Sequence, residues 1–276
     1  VLIQKNDEVL LEHPVTESSE DHLTDKSCLT IEKIVEFADC LDVEDIRGCV
    51  GRQIQCNMDI AKEGLTNDWG ANIGSVILRR QGSSLEKKAG AYAAAGSDAR
   101  MSGCEKPVII VSGSGNQGIT ASVPVAVVAQ ELGKTEEQLL KAVALSDLVT
   151  IHQKTGIGRL SAYCGAISAG CGAGAGIAYL LGGDAKAVAH TVVNAVAILS
   201  GTICDGAKPS CAAKIAAAVD AGILGYDMYL EGQQFYSGDG IVTKGVDNTV
   251  HNIGRLAREG MRQTDKTILE IMLSCD

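Results

Sequence analysis

Ten cysteines offer the richest chemistry in this 276-residue sequence, and four of them are grouped. Cys164 and Cys171 stand seven apart in CGAISAGC, and Cys204 and Cys211 seven apart in CDGAKPSC. On a helix, seven residues make nearly two turns, roughly 10 Å, so a pair shares a face but cannot chelate one ion as C-x-x-C does. The spacing therefore points to one thiol from each segment, the two segments converging in space. Thiolates on separate rigid elements suit an iron–sulfur cluster, whereas zinc-ribbon spacing is absent. Inert thiols buried among alanines are the alternative. Cys28, Cys40, Cys49, Cys56, Cys104 and Cys275 are scattered and read as structural.

The segment SGSGNQG is the second place where chemistry can occur. Gly113, Gly115 and Gly118 fit G-x-G-x-x-G after the β-branched run Val108 to Val111, the pattern that brings backbone N–H groups to a pyrophosphate. The context fails, because no strand ending in an acidic residue follows about 20 positions later. What survives is a nest of N–H donors with the side chains of Ser112, Ser114, Asn116 and Gln117, able to hold a carboxylate or a phosphate. A polar turn between buried elements is the plainer reading.

These groups must be positioned by elements of unusual composition. Hydrophobic residues make up 46% of the chain but aromatics only 3%, with 32 glycines and 4 prolines. The interior is then filled by Ala, Val, Ile, Leu and Gly, which lets helices approach closely. Ile31, Ile34, Val35 and Ala38 mark one face of a helix capped by Thr30, and a second helix is expected from about Val43 to Glu63. Thr135 with Gln138 makes a capping box. Apolar segments run over 161–181 and 185–203, and a further Ala-rich helix over 212–221. The tail from Thr249 has amphipathic helical character. These patterns predict a mainly α fold, a bundle of Ala/Gly-rich helices with a minor α/β portion at the start. A weak boundary separates residues 1–64 from 65–276.

Ala162 to Leu181 is long enough to span a bilayer, but its five glycines and two cysteines favour a buried helix. The formal charge of −10 and the lack of a basic stripe argue against nucleic acid. With no signal-peptide pattern and cysteines that do not form a small secreted framework, a reducing cytoplasmic setting is expected. The missing initiator Met suggests a start inside a longer protein.

The motifs GSGNQGITASVPV, GRLSAYCGAISAGCGAGAGIAYLLGG and ICDGAKPSCAAK, with SDARMSG upstream, resemble the L-cysteine desulfidase family, relatives of the iron–sulfur L-serine dehydratase α-chain. The likeness covers residues 65 to 276 well and the first part loosely. It implies a [4Fe–4S] cluster held by three cysteines with one iron open to substrate, and it places Cys164 and Cys204 at ligand positions. The third ligand it implies belongs to a Gly-Cys-Thr segment that this chain lacks, one the missing N-terminal part of the same protein would supply. Cys171 or Cys211 can substitute.

The reaction implied is β-elimination from a small L-amino acid, L-cysteine to pyruvate, ammonia and hydrogen sulfide. L-serine ammonia-lyase and a non-catalytic iron–sulfur scaffold are the alternatives. A base must take the α-proton: Lys208 and His152 are the foremost candidates, with Lys214 and His190 behind them. Arg100 is a candidate for the substrate carboxylate, unless it pairs with Asp98. The partners expected are the amino-acid substrate and a homo-oligomer, with neither nucleic acid nor membrane.

Overall fold

The computed structural model describes residues 2–6, 8–12, 25–158 and 161–274. Cys275, Arg159, Leu160 and the acidic segment 16–22 lie outside them. The described chain is mainly α. Strands β1 (Leu2–Lys5) and β2 (Glu8–Glu12) form an antiparallel hairpin, with a register shift between Ile3 and Gln4. Val9, Leu10 and Leu11 on β2 are all exposed. Helices α1 (Ile31–Cys40), α2 (Val43–Ile46), α3 (Arg52–Thr66), α4 (Ile73–Gln81) and α5 (Leu85–Met101) follow.

Capping and register behave locally as the residue pattern demands. The Lys33 amide donates to Thr30 Oγ1, and Ile31, Ile34, Val35 and Ala38 are buried on one face of α1. The helix expected over 43–63 is present as a continuous helical run from Val43 to Thr66, with a π-helical turn, Arg47–Gly51, joining α2 to α3. α3 then runs without interruption past residue 64. Asp98 is fully buried in α5, where its carboxylate accepts from the Ile73 amide at 2.7 Å and the Ala71 amide at 3.3 Å. It thus caps the start of α4 and does not pair with Arg100.

The rest of the bundle comprises α6 (Gly115–Glu131), α7 (Glu136–Ile157), α8 (Gly165–Leu180), α9 (Ala185–Leu199), α10 (Cys211–Leu230), α11 (Val246–Arg255) and α12 (Arg262–Leu273). Val108 to Val111 is not a strand. Val111 makes only an isolated bridge with Ser114, and α6 then continues through Pro124, forgoing the hydrogen bond proline cannot donate. The Thr135–Gln138 capping box is present in both directions at the start of α7.

Helix α8 is the axis, packed against α6, α7, α9 and α10. Small residues make this possible. A Cβ on Gly170 would stand 2.5 Å from the Ala218 carbonyl, and one on Gly174 2.5 Å from the Gly222 carbonyl, so α8 and α10 cross with backbone against backbone. No helix among the described residues is long and apolar enough to cross a membrane.

Candidate functional site

The first turns of three helices meet at one cavity. It measures about 340 Å³ and is lined by Arg100 at the end of α5, Ser114, Asn116 and Gln117 at the start of α6, Lys154 of α7, Cys164 and Gly165 at the start of α8, the loop residues Cys204 and Gly206, and Cys211 and Ile215 of α10. A larger cavity of about 610 Å³ adjoins α1, α7 and the α8–α9 turn, but no thiol lines it. The smaller cavity is where the chemistry-bearing residues gather.

Local backbone geometry brings Cys164 and Cys204 together across 40 residues of sequence. Tyr163 and Ile203 form an antiparallel bridge; the Cys164 amide donates to the Thr202 carbonyl at 3.0 Å, and the Cys204 amide to the Ala162 carbonyl at 2.6 Å. The two thiols then face one another on the same cavity and influence each other's ionisation. Cys164 is the harder of the two to deprotonate, its pKa raised first by Cys204 and then by burial. Cys204 is lowered to about 6 by its neighbour Cys164; burial opposes this, while the Gly206 amide and Lys214 assist. Two interacting thiols titrate as a unit, with Cys204 the more readily ionised member.

Cys211 is the first residue of α10 and lines the same cavity, its Sγ turned to the Gly206 carbonyl at 3.7 Å. Cys171 lies two turns into α8, 1% exposed, away from the cavity, and burial pushes its thiol up to about 12. Among the described residues no three His, Cys, Asp or Glu side chains stand as a ready-made metal cage. Of the scattered cysteines, Cys28, Cys40 and Cys49 are exposed, while Cys56 and Cys104 are half-buried and Cys104 packs against the core.

The turn before α6 explains its glycines better than a nucleotide does. Ser112 and Gly113 both have positive φ, 48° and 85°, with Val111 and Ser114 exchanging backbone hydrogen bonds across them. This is the two-residue turn in which both central residues are left-handed. Ser114 makes no side-chain cap on α6, so the amides of Gly115, Asn116 and Gln117 keep the free donors of a helix start. Arg100 donates to Asn116 Oδ1 at 3.2 Å. Gln117 Oε1 and Tyr163 Oη are buried without a hydrogen-bond partner among the described residues. Ser112 lies in the turn and is not among the lining residues.

The basic candidates separate. Lys208 pairs with Asp205 in the loop that carries Cys204, and Lys214 donates to Asp205 at 2.6 Å and to the Ile203 carbonyl at 2.9 Å. These two lysines, Lys208 first, draw Asp205 down to about 2. His152 is held by Asp247 at 2.8 Å, whose carboxylate also accepts from the Ile31 amide, so it ties α7 to α11 and α1 outside the cavity. His190 stacks on Tyr229 with ring centroids 5.4 Å apart and is not among the residues lining the cavity.

Lys154 is the residue that the sequence reading missed. It is 4% exposed and lines the cavity, and burial lowers its pKa against the upward pull of the Cys204 and Cys164 thiols. Its signal was available: Thr150, Gln153, Lys154 and Ile157 share the spacing of one buried helix face.

The serine dehydratase alpha chain family profile matches residues 11–270. A UPF0597 protein of Desulfitobacterium hafniense is 58% identical over 274 residues, 99% of this chain and 64% of its own length. UPF0597 proteins of Lachnoclostridium phytofermentans and Treponema denticola are 49% and 45% identical, each covering 99% of this chain and 65% of the relative. The chain thus spans just under two thirds of these relatives. No solved structure matches it.

Proposed function

The chain belongs to the serine dehydratase alpha chain family, and from that premise we propose that it is the cluster-binding part of an iron–sulfur lyase. The reaction is β-elimination from a small L-amino acid. L-cysteine is the favoured substrate, converted with water to pyruvate, ammonia and hydrogen sulfide. The family's description favours L-serine, which needs the same apparatus with hydroxide in place of thiolate as leaving group.

One observation carries this reading. Two soft thiols in contact, with a third on the same wall, face a cavity ringed by helix starts and cations. Cys164 and Cys204 would hold a [4Fe–4S] cluster, and Cys211 is the in-chain thiol placed to join them; Cys171 is not. The donor set fits the group, since thiolate ligands carry negative charge that Arg100, Lys154, Lys214 and the helix starts offset. When bound, a cluster with an open iron supplies a Lewis acid that weakens the bond to the β-substituent.

The chain's own residues do the rest. Ser114, Asn116, Gln117 and Arg100 bind and orient the substrate's polar groups, and the free amides of α6 stabilise negative charge that develops as the α-proton leaves. Lys208 and Lys214 fix the Cys204 loop through Asp205. Of the two foremost base candidates, Lys208 adjoins the lining residue Ala207, whereas His152 is engaged elsewhere by Asp247. The enamine product hydrolyses to pyruvate and ammonia. Anaerobic reconstitution of the full-length protein with iron and sulfide, followed by pyruvate and sulfide assays on L-cysteine and L-serine, tests the proposal. Cluster binding without turnover of either amino acid would leave a scaffold and defeat the lyase reading.

A further inference from the structure

Five partly buried lysines of the bundle have carboxylate partners. Lys87 pairs with Asp220, Lys88 with Glu131, Lys141 with Glu137, and Lys208 and Lys214 with Asp205. Lys154 is buried more deeply than any of these, yet it has no ion pair or hydrogen bond with a described residue. An ammonium set in a cavity wall with only the Cys204 and Cys164 thiols near it is best completed by an anion in that cavity. The anion's place is indicated independently. The start of the 17-residue helix α6 lines the same cavity through Ser114, Asn116 and Gln117, and its first-turn amides have no side-chain cap.

We propose that Lys154 and the first-turn amides of α6 together form a carboxylate-binding subsite, which anchors the α-carboxylate of the amino-acid substrate. The assignment rests on the lyase reading for the identity of the substrate, but not for the existence of the site. A carboxylate suits the pair because its two oxygens can be shared between an ammonium and a helix start. Arg100 is already engaged with Asn116 Oδ1 and orders the turn beside the subsite. Lys154 then sets substrate orientation at the cysteine dyad. The alternative duty, offsetting thiolate charge alone, would leave substrate binding indifferent to the carboxylate.

The probes are L-alanine, which has the carboxylate but no β-leaving group, and L-alaninamide, which lacks the carboxylate. L-alanine is expected to raise the melting temperature of the full-length protein and to slow alkylation of Cys204, and L-alaninamide to do neither. Lys154→Met should weaken L-alanine binding by about tenfold or more, and Lys154→Arg should recover part of it. In turnover, Lys154→Met should raise KM more than it lowers kcat. Equal effects of the two probes on the wild-type protein would overturn the subsite without any variant. Wild-type L-alanine affinity in a folded Lys154→Met protein would overturn it too. Carboxylate-dependent binding with no pyruvate from any substrate would keep the subsite and remove the lyase.

Discussion

The two ends of one seven-residue interval on α8 have opposite fates. Cys164 sits at the N-cap, where an uncapped helix start, a neighbouring loop and a cavity meet. Cys171 sits in the seam where α8 is pressed against its neighbours. The first is coupled to Cys204 at the cavity; the second is sealed, with its thiol pushed up to about 12. The same residue type on the same helix becomes a ligand candidate or a filler according to whether its turn opens onto polar groups. Helix ends carry unsatisfied donors and therefore attract chemistry, while the middle of a small-residue helix has no room for it.

The middle of α8 should be the harder region to alter. Gly170→Val is expected to cost about 3 kcal/mol or more, because the added atoms meet the Ala218 carbonyl, backbone that cannot move aside. Chemical denaturation measures it; a cost below about 1 kcal/mol would show that the helices can separate cheaply. At the other end, Cys164→Ser or Cys204→Ser should leave the fold standing but lower pyruvate formation by about 100-fold or more. Cys171→Ala should keep activity within about threefold and cost only about 1 kcal/mol of stability.

Thiol reactivity sharpens the contrast. Cys204 is depressed to about 6, so its alkylation in the apo protein should rise through that pH and level off by about pH 7. Cys171 should stay unmodified until the protein unfolds. Mass spectrometry after brief iodoacetamide treatment reads both, and equal labelling of the two would erase the distinction. The smallest effect concerns the loop. Asp205 has its pKa drawn below its unfolded value, so its contribution to stability is complete above about pH 4 and lost as pH falls toward about 2. Lys208→Gln should trim that acid-side contribution by at most about 1 kcal/mol and lower kcat by less than tenfold, as expected of loop support. A loss beyond about 100-fold would make Lys208 the base.

The sequence carried more of the fold than of the site. Periodicity located the buried face of α1, the capping box of α7 and the Ala/Gly-rich core, because local pattern and burial agree there. It found the helix over 43–63 but not the π-helical turn inside it, and it failed at 108–111, where β-branched residues lead into a turn. The pairing of Cys164 with Cys204 could be suspected from their separate segments. Their contact depends on the Tyr163–Ile203 bridge, however, which no local spacing records. Lys154 went unread because a lysine on a buried helix face gains meaning only when the far side of the cavity is known. His152 and Lys208 drew attention by residue type, and their carboxylate partners, one 95 residues away, became visible only in the fold.

The central claim is that Cys164 and Cys204 meet as ligands of one iron–sulfur group. The full-length protein and its Cys164→Ser, Cys204→Ser and Cys171→Ala variants should be reconstituted anaerobically with iron and sulfide, desalted, and assayed for retained iron with X-ray absorption at the iron edge. Sulfur-coordinated iron is expected in the wild type and in Cys171→Ala, with loss in the other two. Equal iron retention by all four proteins, or none by any, would contradict the account.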